Sequence, residues 1–211
     1  FTSTYSRKDV ADTFAIAYQP FEALEASFRY IISFPRNIRP IPGSFCDLEE
    51  AYCRNQFKDR SFEFKLRLTQ ESEYVPQISV GLRDVVGTGV WNGEYLVASK
   101  RVGDLDLSAG LGWGRFSERA VAENPLVSIS DKFVVRPLPT GQGGEFSLNS
   151  FFRGSNVGIF GSIRYSVPRW RLDLLAAYNS DSYAREVRFG TIKPPRAMNL
   201  GIEWRATPGV R

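Results

Sequence analysis

Apolar and polar residues alternate along much of this chain, and the alternation predicts β-strands. In Asp104–Phe116, every second residue from Leu105 to Trp113 is apolar, and the residues between them are Asp, Ser or Gly. Successive side chains of a strand point to opposite faces, so this segment is predicted to have one apolar and one polar face. Leu24–Phe34 is the longest case, with apolar residues at each even position.

About ten segments of this kind follow one another. The predicted strands are Phe1–Ser6, Thr13–Gln19, Leu24–Phe34, Ser61–Glu71, Gln77–Leu82, Trp91–Val102, Asp104–Phe116, a short one at Phe146–Phe152, Val157–Val167, Trp170–Asn179 and Met198–Arg205. Short turns are predicted at Phe21–Ala23, Ser72–Pro76, Gly103-Asp104 and Pro168-Arg169, and long connections at Pro35–Arg60, Ser117–Ser155 and Ser180–Arg196. Short turns at one end and long loops at the other are typical of a bacterial outer-membrane barrel, whose short turns face the periplasm.

Two architectures fit the alternation, and they differ in which face is enclosed. A soluble barrel encloses the apolar face, whereas a membrane barrel turns that face to lipid and lines its lumen with the polar one. Aromatic residues lie near predicted strand ends, the polar faces are rich in Gly, Ser and Ala, and the apolar faces are almost free of charge. The sequence therefore favours an all-β, antiparallel, up-and-down transmembrane β-barrel with short periplasmic turns and long extracellular loops. A soluble β-barrel that binds an apolar ligand is the alternative.

Composition changes this picture little. The 211 residues contain no evident linker, so we predict a single barrel domain over residues 1–211, either whole or as part of a longer chain. No run approaches the roughly 20 apolar residues of a membrane-spanning helix. The net charge of +4 is a mild bias that fits an ordinary basic surface or an anionic partner, and no nucleic-acid partner is predicted.

The two cysteines, Cys46 and Cys53, lie seven residues apart in the first long loop. One local disulfide would tie down that loop and would imply an oxidising compartment. Two free thiols in a reducing compartment are the other reading. Two Cys with no His cannot easily complete a zinc site, so neither a metal nor a cofactor is predicted.

A long stretch of the chain resembles a known family. The run GLRDVVGTGVWNGEYLVASKRVGDLDLSAGLGWGRF at Gly81–Phe116 is similar to the YjbH family of outer-membrane proteins, which is linked to exopolysaccharide and group 4 capsule production. Supporting likeness lies at Gln19–Tyr30, Phe62–Ser72 and Phe151–Tyr165. The resemblance implies a barrel in the bacterial outer membrane, in contact with its lipid, that takes part in polysaccharide export or assembly with other secretion proteins. It implies no catalytic residue.

The absence of histidine removes Ser-His-Asp hydrolysis and His-based metal sites from consideration. Paired carboxylates remain, since glycosidases need only two. We expect the polar-face carboxylates to pair with neighbouring Arg or Lys, and we predict that the protein is not an enzyme. A carboxylate-based glycan-processing barrel is the third possibility.

Charged residues on the polar faces are the candidate lumen lining. They are Arg29, Lys65, Arg67, Arg83, Arg164, Arg171, Arg205, Glu25, Glu63, Asp173 and Glu203. The cations could bind an acidic polysaccharide, because guanidinium groups match carboxylates with a planar fork. A cross-strand network of ion pairs that fills the interior is the alternative, and it is favoured for a barrel of about ten strands.

Overall fold

The fold is built almost entirely of β-strands. A computed structural model describes residues 2–7, 11–33, 57–89, 91–137, 145–146, 148–184, 187, 193 and 195–205. The strands are β1 (Thr2–Arg7), β2 (Ala11–Phe21), β3 (Leu24–Ser33), β4 (Phe57–Thr69), β5 (Gln77–Arg83), β6 (Val86–Gly87), β7 (Gly93–Val102), β8 (Leu105–Gly112), β9 (Ala120–Glu123), β10 (Glu145–Phe146), β11 (Asn156–Val167), β12 (Leu172–Tyr178) and β13 (Met198–Trp204).

The strands form an antiparallel meander. The main sheet runs β1-β2-β3-β4-β5-β7-β8-β11-β12-β13, so each long strand lies beside the next long strand in the chain. The short β9 pairs with β11, and β6 pairs with β10 in a separate two-stranded ribbon. The predicted all-β, antiparallel, up-and-down order is therefore confirmed.

Short turns join the strands at one end of the sheet. Val102 pairs with Leu105 across the two-residue turn, and Gly103 has a φ of 59°, a conformation that costs glycine little. Pro168–Trp170 forms a single 3-10 turn between β11 and β12, after which Arg171 adopts a φ of 53°. In the segment predicted as a strand at Phe146–Phe152, Phe146 is the last residue of β10 and Leu148–Ser150 forms a short 3-10 turn.

The two faces of the sheet have opposite character and opposite exposure. We call the face that carries Ser61 and Ser79 the polar face, and the face that carries Phe62 and Leu66 the apolar face. Ser61 is 0% exposed and Ser79 is 1% exposed, whereas Phe62 and Leu66 are each 42% exposed. Burial thus alternates along β4 with the polar residues inside and the apolar residues outside, which is the reverse of a water-soluble sheet.

The apolar face extends across the sheet to its last strand. Its exposed members include Phe14 and Tyr18 on β2, Ile159 and Ile163 on β11, Leu174 on β12, and Met198, Leu200, Ile202 and Trp204 on β13. Isolated exposed apolar residues are ordinary, but a continuous apolar patch of this kind marks an interaction surface.

The predicted closure into a barrel is not found among the described residues. There β1 pairs with β2 and β13 pairs with β12, and neither end strand pairs with the other. Alternation and short turns specify local pairing, whereas closure needs a pairing between the two ends of the sheet that neither signal encodes. The described sheet is therefore open, with one free edge on β1 and one on β13.

No helix within the described ranges has the length and apolar character needed to cross a membrane.

Candidate functional site on the polar face

Three of the predicted residues meet at one ion-pair cluster on the polar face. Glu63 of β4 forms ion pairs with two arginines. Its Oε1 lies 2.9 Å from Nη2 of Arg29 on β3 and 3.1 Å from Nε of Arg83 on β5. Arg29 is only 8% exposed, and its Nε also donates to Oγ of Ser61 at 3.4 Å. Glu63 thus pairs with one arginine on each neighbouring strand, and the two ion pairs link β3, β4 and β5.

Three other candidates lie nearer the short turns. Glu25 and Lys65 face each other directly across β3 and β4. Arg67 lies one step further along β4 and pairs at 3.6 Å with Glu22, whose carboxylate is almost fully exposed. An ion pair this exposed contributes little to stability, so Arg67 belongs to the rim of the polar face.

A second cluster gathers four of the predicted residues around Asp173 on β12. Arg205 donates from Nη2 to Oδ1 of Asp173 at 2.8 Å, and Arg164 on β11 lies 3.8 Å from Oδ2. Arg164 also lies 3.9 Å from Glu203 on β13. Asp173 is 3% exposed, so the cluster provides the pairing that a buried charge requires. The expected cross-strand pairing of carboxylates with arginines is present in both clusters.

Arg171 lies directly before β12 and not within it. The sequence placed it in a strand that begins at Trp170, but β12 begins at Leu172 and Arg171 is exposed at the end of the preceding turn. The 3-10 turn includes Trp170, which the alternation had assigned to the strand. Cys46 and Cys53 lie outside the described residues.

Two carboxylates that the sequence did not single out are buried near the ends of β4 and β5, where the long connections begin. Asp59 is 0% exposed, and its Oδ1 accepts hydrogen bonds from the backbone N–H and the hydroxyl of Thr88, at 3.2 and 2.8 Å. Asp84 is 3% exposed and accepts from the N–H of Trp91 at 3.0 Å. Burial and, next, the charge of Asp59 raise the pKa of Asp84 to about 6. These bonds hold the segment that follows β5 against β4.

Aromatic rings lie against glycines on the polar face. A Cβ added to Gly81 would come within 2.0 Å of Cζ of Tyr95, and one added to Gly112 would come within 2.2 Å of Cβ of Phe116. Tyr95, Phe116 and Phe160 form edge-on or tilted pairs with ring centroids 5.7 to 5.9 Å apart. The glycines of the central run thus leave room for rings that cover bare backbone, a device that stabilises sheets at glycine positions.

Glu94 fixes a long loop to the sheet, and the sequence analysis missed it. It is 0% exposed and accepts a two-pronged pair from Arg136, at 2.7 and 2.8 Å, and a bond from the N–H of Phe152 at 2.8 Å. Nearby, the indole N–H of Trp113 donates to Oδ1 of Asn124 at 2.9 Å. The sequence does hold one indication of this role. Glu94 is a charged residue two positions before Leu96, and so lies on the apolar face of its strand, where a buried charge needs a fixed partner.

A second attachment joins the loop after β8 to the segment after β12. Nε of Arg115 lies 2.5 Å from Oδ2 of Asp181, and both side chains are buried. Arg119 donates to the carbonyls of Asn179, Asp181 and Pro195. Desolvation raises the pKa of Asp181 in spite of its arginine partner. The loops at this end are therefore bound to each other and to the sheet.

Across the portions of the chain that the structure covers, no three or more Cys, Asp or Glu side chains are grouped to hold a metal ion.

The fold and the site define a class: an antiparallel sheet with cross-strand ion pairs on its polar face and exposed apolar side chains on the other. Residues 1–211 match the YjbH family model, described as exopolysaccharide biosynthesis protein YbjH. The chain belongs to the YjbH family. It is 34% identical over 204 residues to a protein of Escherichia coli (strain K12) named "Uncharacterized lipoprotein YjbH", which covers 96% of this chain. The chain spans about 28% of the length of that relative. No solved structure matches it.

Proposed function

We propose that this protein forms part of an outer-membrane β-barrel that takes part in exopolysaccharide or capsule export or assembly, without catalysing a reaction. One observation carries the membrane part of the proposal. Along β4 the side chains of the polar face are buried or half-buried, whereas Phe62, Phe64, Leu66 and Leu68 are exposed. Lipid is the surrounding in which an outward apolar face and an inward polar face are both satisfied.

The open edges constrain this proposal. In lipid, an unpaired strand edge leaves backbone N–H and C=O groups without partners, at several kcal/mol each. Both β1 and β13 therefore need a strand or another covering element in the membrane. Ten main-path strands with partners at both edges would satisfy that requirement, and the polar face would then line an interior.

The polysaccharide part of the proposal rests on family membership and on the polar face. The family is described as exopolysaccharide biosynthesis, and the E. coli relative is named a lipoprotein, which fits attachment to a membrane. The non-catalytic part rests on the carboxylates: Glu63 is held by two arginines and Asp173 by Arg205. A glycosidase needs two carboxyl groups that face one glycosidic bond, whereas each of these carboxylates is engaged by arginine.

The membrane location is tested by fractionation. The protein is expressed in a Gram-negative host, and inner and outer membranes are separated by density. We expect it in the outer-membrane fraction, resistant to extraction by alkaline carbonate and released by detergent. A protein recovered folded in the detergent-free soluble fraction would contradict the proposal and favour the soluble barrel.

The polysaccharide role is tested separately in a producing strain. Deletion of the gene is expected to lower polymer on the cell surface without lowering the sugar precursors in the cytoplasm. Unchanged surface polymer, with the protein absent, would refute the role while leaving the membrane location intact.

A further inference from the structure

The polar face holds a cleft that neither ion-pair cluster fills. It has a volume of about 220 Å³ and lies against β3, β4, β5 and β7. Rings of Tyr95 and Phe116 line one part of it, and Glu63, Lys65 and Arg83 line another. Pockets for drug-sized ligands are commonly about 300–1,000 Å³. A cleft of this size suits a smaller group, on the scale of one sugar ring.

The chemistry of its walls is amphipathic. Tyr95 and Phe116 are packed on glycine backbone at 2.0 and 2.2 Å from where a Cβ would be, so their position on the sheet is fixed. The guanidinium of Arg83 lies 5.9 Å from the centre of the Phe116 ring, which brings charge and aromatic surface together. A pyranose ring has the same division, with C–H groups on its faces and hydroxyls on its rim. Aromatic rings can pack against the C–H groups, and Glu63 and Arg83 can form hydrogen bonds with the hydroxyls.

One cation in the cleft differs from the other two nearby. Arg29 and Arg83 are both engaged with Glu63. Lys65 is different: within the described ranges no ion pair joins it to a carboxylate, although Glu25 lies directly opposite in register. The charged residues that line the cleft balance, with Lys65 and Arg83 against Glu25 and Glu63. The half-buried Lys65 lacks an ion pair to a carboxylate of the described residues, and it therefore favours a ligand that brings its own carboxylate.

On the polar face around the cleft, the described side chains become more buried with distance from the short turns. On β3, burial increases from the exposed Glu25 to Arg29, which is 8% exposed, and on β4 it increases from the half-buried Lys65 to the fully buried Asp59. The exposed ends are those of the short turns, and the buried ends are covered by the segment that Asp59 and Asp84 hold. In an outer-membrane sheet the short turns face the periplasm.

From this we propose that the cleft is a binding subsite for one acidic sugar unit of a polysaccharide, entered from the short-turn end, with the ring on Tyr95 and Phe116 and the sugar carboxylate at Lys65. The proposal rests on the proposed function, because the periplasmic direction of entry follows from the membrane location. It assigns the site a role in holding polymer before export, since the loop end of the same strands is covered.

The test uses the whole protein in detergent micelles and two defined probes, trigalacturonate and its neutral counterpart trigalactose, with affinity measured by calorimetry. We expect the acidic probe to bind more tightly. Lys65→Gln should weaken trigalacturonate roughly ten-fold, as loss of one charge-assisted hydrogen bond predicts, and should leave trigalactose unchanged. Lys58→Gln is the matched control, because Lys58 is an exposed lysine of the same strand at a position of the opposite phase.

A second variant separates stacking from folding. Tyr95→Leu should weaken both probes, whereas Tyr95→Phe keeps the ring and should weaken neither; fluorescence of the four tryptophans checks that each variant is folded. The proposal is overturned if neither probe binds wild type, if trigalactose binds as tightly as trigalacturonate, or if Lys65→Gln and Lys58→Gln behave alike. A protein that fractionates with the outer membrane but binds no probe loses this subsite only. A protein that binds trigalacturonate but is soluble without detergent would support the subsite and refute the membrane location.

Discussion

Replacing Asp84 with Asn should stabilise the protein above about pH 6 and leave it unchanged near pH 4. Asp84 is 3% exposed, and burial together with the charge of Asp59 raises its pKa from 3.8 to about 6. The folded state therefore holds a proton that the unfolded chain has released between those two values. Stability from this group is fully present below about pH 4 and is lost as the pH rises through 6.

The size of the effect follows from the same shift. At about 1.36 kcal/mol per pH unit, an increase from 3.8 to about 6 corresponds to roughly 3 kcal/mol as an upper limit. Asn removes the titration and keeps the geometry, because its carbonyl oxygen can accept the N–H of Trp91 and because Asn tolerates the φ of 55° found at this position. Asp84→Asn should therefore be about as stable as wild type near pH 4 and up to about 3 kcal/mol more stable near pH 7.

The assay is urea unfolding in detergent micelles, followed by tryptophan fluorescence at pH values from about 4 to about 8. Asp104→Asn is the control, since Asp104 is exposed in the tight turn and its replacement should shift stability equally little at each pH. The reasoning is refuted if the curves for Asp84→Asn and wild type run parallel over this range, or if the variant is the less stable at neutral pH.

Two further changes test the packing of the sheet and its loops. Gly81→Ala should destabilise the protein by about 1–3 kcal/mol through overpacking, because its Cβ would meet the ring of Tyr95 at 2.0 Å. Gly201→Ala is the control and should cost little stability, because its Cβ would lie 3.7 Å from Leu175. Equal losses of stability in a thermal melt would contradict this. Glu94→Ala should cost about 3–5 kcal/mol and speed tryptic cleavage between residues 118 and 153, because it leaves Arg136 unpaired beside a buried position. Glu71→Ala, which breaks a more exposed pair with Lys100, should cost under about 1 kcal/mol, and a similar cleavage rate in both variants would argue against loop attachment through Glu94.

The strands and their faces were predictable because alternation is a local signal. Ser61–Glu71 was predicted with Phe62, Phe64, Leu66 and Leu68 on one face, and β4 carries them on its exposed face. The pairing order was also predictable, since short turns such as Gly103-Asp104 leave two strands no other neighbour.

Features that depend on distant parts of the chain were not predictable in this way. Closure would need β1 and β13 to meet, and no local pattern reports on that pairing. The attachment of Arg136 to Glu94 joins residues 42 positions apart, and that of Arg115 to Asp181 joins residues 66 positions apart. Arg136 and Asp181 each lie in a segment that the alternation predicted as a long connection.

The candidate site was half predictable for the same reason. Arg29, Glu63 and Arg83 could be placed on one face, and the structure brings both arginines within 3.1 Å of Oε1 of Glu63. Asp59 and Asp84 were not predicted as site residues because both lie outside the predicted strands. Asp59 falls in the predicted connection Pro35–Arg60, and Asp84 falls between the predicted strands Gln77–Leu82 and Trp91–Val102. The start of β12 was predicted at Trp170 and lies at Leu172, because the three-residue turn Pro168–Trp170 precedes it.

The central claim is that the apolar face meets lipid and the polar face is enclosed. Spin labels placed one at a time at positions 62 to 68 of β4, in a variant with Cys46 and Cys53 replaced by Ser and reconstituted in bilayers, test it most directly. Collision rates with dissolved oxygen, which concentrates in lipid, should be high at Phe62, Phe64, Leu66 and Leu68 and low at Glu63, Lys65 and Arg67, with a period of two. A flat profile, or high rates at Glu63 and Lys65 with low rates at Phe64 and Leu66, would contradict the account.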